Sequence, residues 1–214
     1  AAFAGRGLLD HVAVIGLGAG TLAAYGEPGR SMQFYEIDPA IVRIARDPSW
    51  FTFLSDSRSA LSFTTGDGRL EIAKAPDGAF GMIVVDAFSS DAIPVHLLTR
   101  EAIALYMRKL RPGGILALHV SNTYLELSPI VDGLIADGGY AGLIQEDQIE
   151  NQDQLLEGKD ESDWALIAKD RASLAPLEQS GRWTSLPSKP GQTPDSRYVW
   201  TDDYSSIFTV ASRW

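Results

Sequence analysis

Short apolar runs alternate with polar stretches of helical spacing along most of the chain, a pattern that predicts a parallel sheet covered on both faces. Strands are expected at Val12–Gly16, Met32–Ile37, Leu61–Thr65, Met82–Asp86 and Ile115–Val120. Asp38-Pro39 reads as a helix start, with Asp as cap and Pro at the first helical position, and that helix runs to about Arg46. A second helix is predicted over Leu98–Leu110, capped by Thr99, with Glu101 and Arg108 placed to complement its dipole. Arg111-Pro-Gly-Gly114 ends it and turns the chain into the fifth strand.

Beyond Pro129 a helix to about Ala136 leads through Asp137-Gly-Gly139 to a strand near Tyr140–Gln145, a polar loop, and a last strand near Trp164–Ala168. Two late strands joined without a helix imply an antiparallel hairpin at the sheet edge. Residues 180–198 are rich in Pro, Ser, Gly and Thr and read as a loop or lid, while residues 1–10 form a short lead. The whole of 1–214 is read as one domain. Because it opens Ala-Ala-Phe without an initiator Met, it is expected to be a fragment of something longer.

The first strand carries the most specific signal. His11-Val-Ala-Val-Ile breaks into Gly16-Leu-Gly18-Ala-Gly20-Thr, a buried strand turning sharply toward a helix, with glycines that let a ligand approach bare backbone. A dinucleotide fingerprint needs Gly at its first, third and sixth positions; here the sixth is Thr21, which favours an adenosyl sulfonium over NAD. Glu36 comes twenty residues after Gly16 (36 − 16), at the end of the second strand, where a carboxylate can accept both ribose hydroxyls. A purely structural turn is the alternative.

In doubly wound sheets ligands bind beyond the carboxyl ends of the strands, so the acids there are the ones to weigh. Asp67, in Gly66-Asp-Gly68-Arg-Leu, can accept the exocyclic amine of adenine and can equally cap a helix over Arg69–Lys74. Asp86 ends an almost wholly apolar strand and should face a ligand, a cation or a donor-rich loop. Asp91 precedes Ala-Ile-Pro94 and is a ligand contact or a turn residue. Near the end, Trp200-Thr-Asp202-Asp203-Tyr204 sets two acids between aromatics, able to clamp an amine by charge and cation–π contact or to form an exposed acidic turn. His119 reads as a core histidine with a lesser catalytic alternative, and Tyr106 and Met107 follow the apolar spacing of their helix into the core.

Composition narrows the chemistry. The chain has 214 residues, 45% hydrophobic and 21% charged, enough to bury a full core. Without cysteine there is no disulfide framework, thiolate nucleophile or cysteine zinc site, and three scattered histidines argue against a histidine metal site, so no metal is expected. A net charge of −10 disfavours a nucleic-acid partner and suits a small cation. No apolar run reaches the roughly 20 residues a bilayer span needs, and no signal peptide opens the chain, so a cytoplasmic location is expected.

The run from Val12 to Asn122 resembles the spermidine synthase family of aminopropyltransferases, and more closely its bacterial spermidine synthase-like branch, often fused to a membrane transporter-like segment. The resemblance rests on Ile-Gly-Leu-Gly-Ala-Gly-Thr-Leu-Ala, Phe-Tyr-Glu-Ile-Asp-Pro, Gly-Asp-Gly-Arg-Leu, Val-Val-Asp-Ala-Phe-Ser-Ser-Asp-Ala-Ile-Pro-Val-His-Leu-Leu-Thr and His-Val-Ser-Asn, in order, and on the terminal Thr-Asp-Asp-Tyr. It implies an α/β, Rossmann-like class I S-adenosylmethionine-dependent methyltransferase fold, with a mostly parallel seven-stranded sheet and an antiparallel edge hairpin. It further implies a donor, decarboxylated S-adenosylmethionine or S-adenosylmethionine itself, held by Gly16, Gly18, Gly20, Glu36, Asp67 and Gly68. Asp86 and Asp91 would be catalytic, and Asp91, Asp202, Asp203 and Tyr204 would contact an amine such as putrescine.

A homodimer, and fusion to or association with a membrane segment outside this chain, are partners the resemblance allows. The chain departs from the family twice. The Asp of the family's glycine loop, which holds the donor's amine, is Ala19 here, and the second acid three residues after the catalytic one is Ser89. The family's amino-terminal β-rich extension is not visible. A methyltransferase using the intact donor and a non-catalytic nucleoside-binding module are therefore the alternatives to aminopropyl transfer.

Overall fold

The computed structural model describes residues 7–87, 94–122, 124–149, 151–156, 158–187 and 193–211. Its strands are β1 (His11–Ile15), β2 (Ser31–Glu36), β3 (Ala60–Thr65), β4 (Phe80–Val85), β5 (Leu110–His119), β6 (Ala141–Asp147), β7 (Ser162–Ala168) and β8 (Thr184–Ser185). The helices are α1 (Pro39–Arg46), α2 (Phe53–Asp56), α3 (Gly68–Ile72), α4 (Arg100–Lys109), α5 (Ser128–Gly138), α6 (Gln152–Leu156) and α7 (Ala175–Glu178). The strand order is β3-β2-β1-β4-β5-β7-β6-β8. β1 lies parallel to both β2 and β4, and β2 is parallel to β3, whereas β6 is antiparallel to β7 and β8.

The α/β class and the antiparallel edge are as the sequence predicts, with differences in detail. The sheet has eight strands among the described residues rather than seven, because Thr184–Ser185, inside the expected loop of 180–198, adds a two-residue strand to β6. The β6–β7 pair is antiparallel but is joined through α6, not by a helix-free turn. β5 begins at Leu110, directly where α4 stops, and takes in Arg111-Pro-Gly-Gly114, with Gly113 at a φ of 73° absorbing the change of direction.

The chain divides into two compact units, one of residues 1–87 and 104–116, the other of 88–103 and 117–214. In the first, Val12 to Ile15 are all at least nine-tenths buried, as expected of a strand covered on both faces. Asp38 caps α1, its carboxylate accepting from the amide of Ala40 at 2.7 Å with Pro39 behind it, an arrangement contributing about 1 kcal/mol. Tyr106 and Met107 are in the core. The Tyr106 hydroxyl has no hydrogen-bond partner among the described residues, and burial raises its pKa well above the ordinary tyrosine value.

In the second unit, Gly139 in the left-handed conformation closes α5, and His119 is half-buried at the end of β5. Its ring stacks on Trp164 with centroids 4.8 Å apart and places Nε2 2.9 Å from the Ser121 hydroxyl. No helix among the described residues is long and apolar enough to cross a membrane.

Candidate active site

The loop after β1 takes its shape from three glycines, all in left-handed backbone: Gly16 at φ 99°, Gly18 at 53° and Gly20 at 85°. A side chain at Gly16 would overlap the backbone carbonyl of Asp86, so the loop and the end of β4 touch as bare backbone. Gly18 is exposed, and a Cβ there would meet nothing within 4 Å, leaving room for a ligand above the loop. Gly20 lies under Leu54 of α2, whose Cδ2 would stand 2.6 Å from an added Cβ.

Beyond Gly20 the chain departs from expectation. The predicted turn into a helix yields a five-residue 3-10 segment, Thr21–Tyr25, ended by extended Gly26 and the Glu27-Pro-Gly turn. The contribution of Leu54 is not foreseen from the sequence; its signal is the apolar Trp50-Phe51-Thr-Phe-Leu54 run just after α1.

Glu36, at the end of β2, grips this loop. Its Oε2 accepts the Leu17 amide at 3.0 Å and its Oε1 accepts the Asp38 amide at 3.0 Å. Each carboxylate oxygen keeps a second acceptor position, the capacity that a pair of vicinal hydroxyls requires. The next strand end is tied to the same place, because the Gly66 amide donates to the Glu36 carbonyl at 2.9 Å. Asp67 then caps α3, accepting from the Leu70 amide at 2.9 Å. Gly68 packs on Ile15 of β1, where a Cβ would stand 2.5 Å from the Ile15 Cγ2.

At the third strand end, the Asp86 amide donates to the Ile15 carbonyl at 2.8 Å and its side chain is half-buried. Gly16, Gly18, Gly20, Glu36, Asp67, Gly68 and Asp86 are thus all tethered around the end of β1, within one unit. Asp91 and Ser89 lie outside the described residues.

The remaining sequence-predicted residues belong to the other unit. Asp202 accepts from the Thr99 hydroxyl at 2.7 Å, and its amide donates to a Glu101 carboxylate oxygen at 3.0 Å. Thr99 in turn caps α4 by accepting the Ala102 amide at 3.2 Å, and the Arg100 amide donates to the Trp200 carbonyl at 2.8 Å. Asp203 and Tyr204 are exposed, with Tyr204 at 60%. The acidic turn is therefore bonded to the start of α4, with Asp203 and Tyr204 open to solvent. No group of three or more metal-ligating side chains occurs among the described residues.

No protein-family model matches the chain. Over 120 residues it is 33% identical to a polyamine aminopropyltransferase of Vibrio vulnificus, a match covering 54% of this chain and 38% of that protein. A probable spermidine synthase from Corynebacterium glutamicum superposes with a TM-score of 0.55 at 18% identity, covering 82% of this chain and 66% of the other. The chain is thus similar to an aminopropyltransferase in part of its sequence and to a spermidine synthase in its fold. An S-adenosylmethionine-dependent methyltransferase from Archaeoglobus fulgidus shares the fold at a TM-score of 0.51 and 14% identity, over 77% of this chain and 89% of that one. The architecture is the Rossmann-like fold of both groups, and the chain spans about two-fifths of the length of the curated relative it matches.

Proposed function

We propose that the chain is an aminopropyltransferase, moving a 3-aminopropyl group from decarboxylated S-adenosylmethionine to a small amine. The observation that carries this reading is the convergence of Glu36, Asp67 and Asp86, from three successive strand ends, on a glycine loop with open space above Gly18. In this arrangement Glu36 receives the ribose hydroxyls, Asp67 the adenine amine, and Asp86 faces the reacting nitrogen. The likeness to a polyamine aminopropyltransferase supports it.

The reaction needs little from the protein beyond alignment. An alkylammonium has a pKa near ~10.4, so the acceptor must lose a proton before its nitrogen lone pair can attack the carbon bonded to sulfur. Asp86 takes or relays that proton; the N–C bond forms as the C–S bond breaks, and the electron pair stays on sulfur, turning the sulfonium into neutral methylthioadenosine.

Ala19 favours a second reading. A carboxylate there would repel the carboxylate of intact S-adenosylmethionine; alanine does not, so methyl transfer from the intact donor is open to the same site. The test is calorimetry with both donors across a panel of amines, followed by mass spectrometry. Methylthioadenosine and an aminopropylated amine support the first reading; S-adenosylhomocysteine supports the second. Donor binding without turnover would make the chain a nucleoside-binding module.

A further inference from the structure

His119 has no part in the proposed transfer, yet its surroundings suit a base. It ends β5 half-buried, and its ring lies against Trp164 of β7, with centroids 4.8 Å apart and planes 16° from parallel. That stack restricts rotation of the imidazole. Nε2 stands 2.9 Å from the hydroxyl oxygen of Ser121, two residues further along the chain. Ser121 is also held from β7, because its oxygen accepts the Asp163 amide at 2.6 Å, while the Val120 amide donates to the Asp163 carbonyl at 2.8 Å. The end of β5 and the start of β7 are thus pinned together at the serine.

The two contacts of the Ser121 oxygen act in one sense. An amide donating to Oγ favours negative charge on that oxygen, and an imidazole with its proton on Nδ1 offers Nε2 to accept the hydroxyl hydrogen. Together they make the oxygen a stronger nucleophile than a solvated serine. The Asp163 carboxylate attracts the charge of a protonated His119 and so stabilises the imidazolium that such a transfer forms. Ser121 is half-buried rather than sealed, so a small molecule can reach it. Glu146, opposite Asp163 in register, and Glu161 add negative charge at this strand end, which favours uncharged or cationic reactants over anions.

We propose that Ser121 is the nucleophile, and His119 the general base, of a second catalytic centre that takes acyl groups from small uncharged or cationic esters. Ser121 Oγ bonds to the acyl carbon as the ester C–O bond breaks, and the serine proton passes to His119 Nε2 and on to the departing alkoxide. Water then attacks the acyl-serine. His119 takes a proton from that water and returns it to Oγ, and the carboxylic acid leaves. All of these residues belong to one unit, and the centre is independent of the nucleoside reading.

The test treats the full chain with a neutral fluorophosphonate at about pH 8, above the ordinary histidine value. Loss of fluoride should leave a phosphonyl group on Ser121, mapped by peptide mass spectrometry. Unlabelled chain should cleave p-nitrophenyl acetate faster than p-nitrophenyl hemisuccinate, and labelled chain should cleave neither above the rate in buffer. His119→Gln keeps a hydrogen-bonding group beside Ser121 but no base, so labelling and acetate cleavage should both slow by about 10²-fold or more at a similar melting temperature. Ser121→Ala should abolish both; if loss of the acceptor for the Asp163 amide prevents folding, His119→Gln carries the comparison.

A chain that takes no phosphonyl group at Ser121 overturns the centre. Equal labelling rates in the unsubstituted chain and His119→Gln also overturn it, since Ser121 would then be an ordinary hydroxyl. Acetate cleavage that survives labelling belongs to other side chains and counts against it equally. Hemisuccinate cleaved as fast as acetate overturns the preference for uncharged and cationic esters.

Discussion

The carboxylate of Glu36 accepts the amide of Leu17 at 3.0 Å, so the acid at the end of β2 holds the glycine loop at the end of β1. The same side chain takes the Asp38 amide at the turn into α1, and one residue therefore links two strand ends and a helix start. A carboxylate already fixed by two amides presents its remaining acceptor positions in one orientation, which would lower the cost of ordering it around the ribose proposed to bind there.

Glu36→Ala should accordingly act twice. Binding of methylthioadenosine should weaken by roughly 1.5–3 kcal/mol, because hydrogen bonds to a charged acceptor are lost, and the melting temperature should fall because the loop loses its tether. Calorimetry and thermal unfolding of one preparation separate the two effects. Unchanged affinity would remove Glu36 from the ligand site while leaving the tether. NAD should bind poorly to the unsubstituted chain, since Thr21 stands where its fingerprint needs glycine.

The glycines of the loop should differ sharply. Gly16→Ala forces a side chain onto the Asp86 carbonyl in left-handed backbone, and the conformation alone costs about 1–3 kcal/mol, so a large loss of stability is expected. Gly18→Ala meets open space and should cost only about 1 kcal/mol. Its effect should instead appear as weaker thioether binding. Equal destabilisation by the two substitutions in denaturant titrations would contradict this placement of the loop.

Much of this was legible in the sequence because it is local. The Asp38-Pro39 start, the caps at Asp67 and Thr99, and the buried β1 run each arise from residues a few positions apart. Features set by distant partners were not legible. The packing of Leu54 on Gly20 is set by an apolar run more than thirty residues away (54 − 20 = 34), and the docking of Asp202 on Thr99 joins positions about a hundred apart. The two-residue β8 has no periodicity to detect; it exists only because β6 offers an edge. The shortness of the helix after Gly20 was hidden because Leu22, Ala23 and Ala24 suit a helix, while Gly26 and the Pro28-Gly29 turn end it.

Asp163 makes a prediction about pH. Burial, reinforced by Glu146 and Glu161 and opposed by His119, raises its carboxyl pKa above the ordinary value of 3.8. A raised acid binds more protons folded than unfolded, so its contribution is fully present below the ordinary value and is lost as pH rises to the folded one. Asp163→Asn should therefore gain stability relative to the unsubstituted chain across that interval, and the difference should level off above it. Melting temperatures from about pH 3.5 upward check this; a difference that shrinks with rising pH would reverse the assignment.

At Ala19, substitution by Asp should shift preference toward the decarboxylated donor and away from intact S-adenosylmethionine, because a carboxylate attracts the amine of one and repels the carboxylate of the other. The ratio of the two dissociation constants, before and after substitution, reads this directly. An unchanged ratio would mean that the loop does not face the donor's aminoalkyl tail.

Asp86 decides whether the site is catalytic. Its backbone is held at the strand end, the amide bonded to the Ile15 carbonyl and its own carbonyl against Gly16. Asp86→Asn keeps the shape and removes the charge. If the carboxylate positions and deprotonates an amine, donor binding and melting temperature should stay close to those of the unsubstituted chain while turnover falls by about 10²–10⁴, the range for a lost general base. Raising the pH should restore part of the loss, because more of the acceptor then arrives already neutral. If Asp86 serves only the turn next to it, asparagine satisfies a turn as well as aspartate does and turnover should survive. Full activity in the variant would thus remove Asp86 from the chemistry, and a collapse of stability with it would show that the acid belongs to the fold.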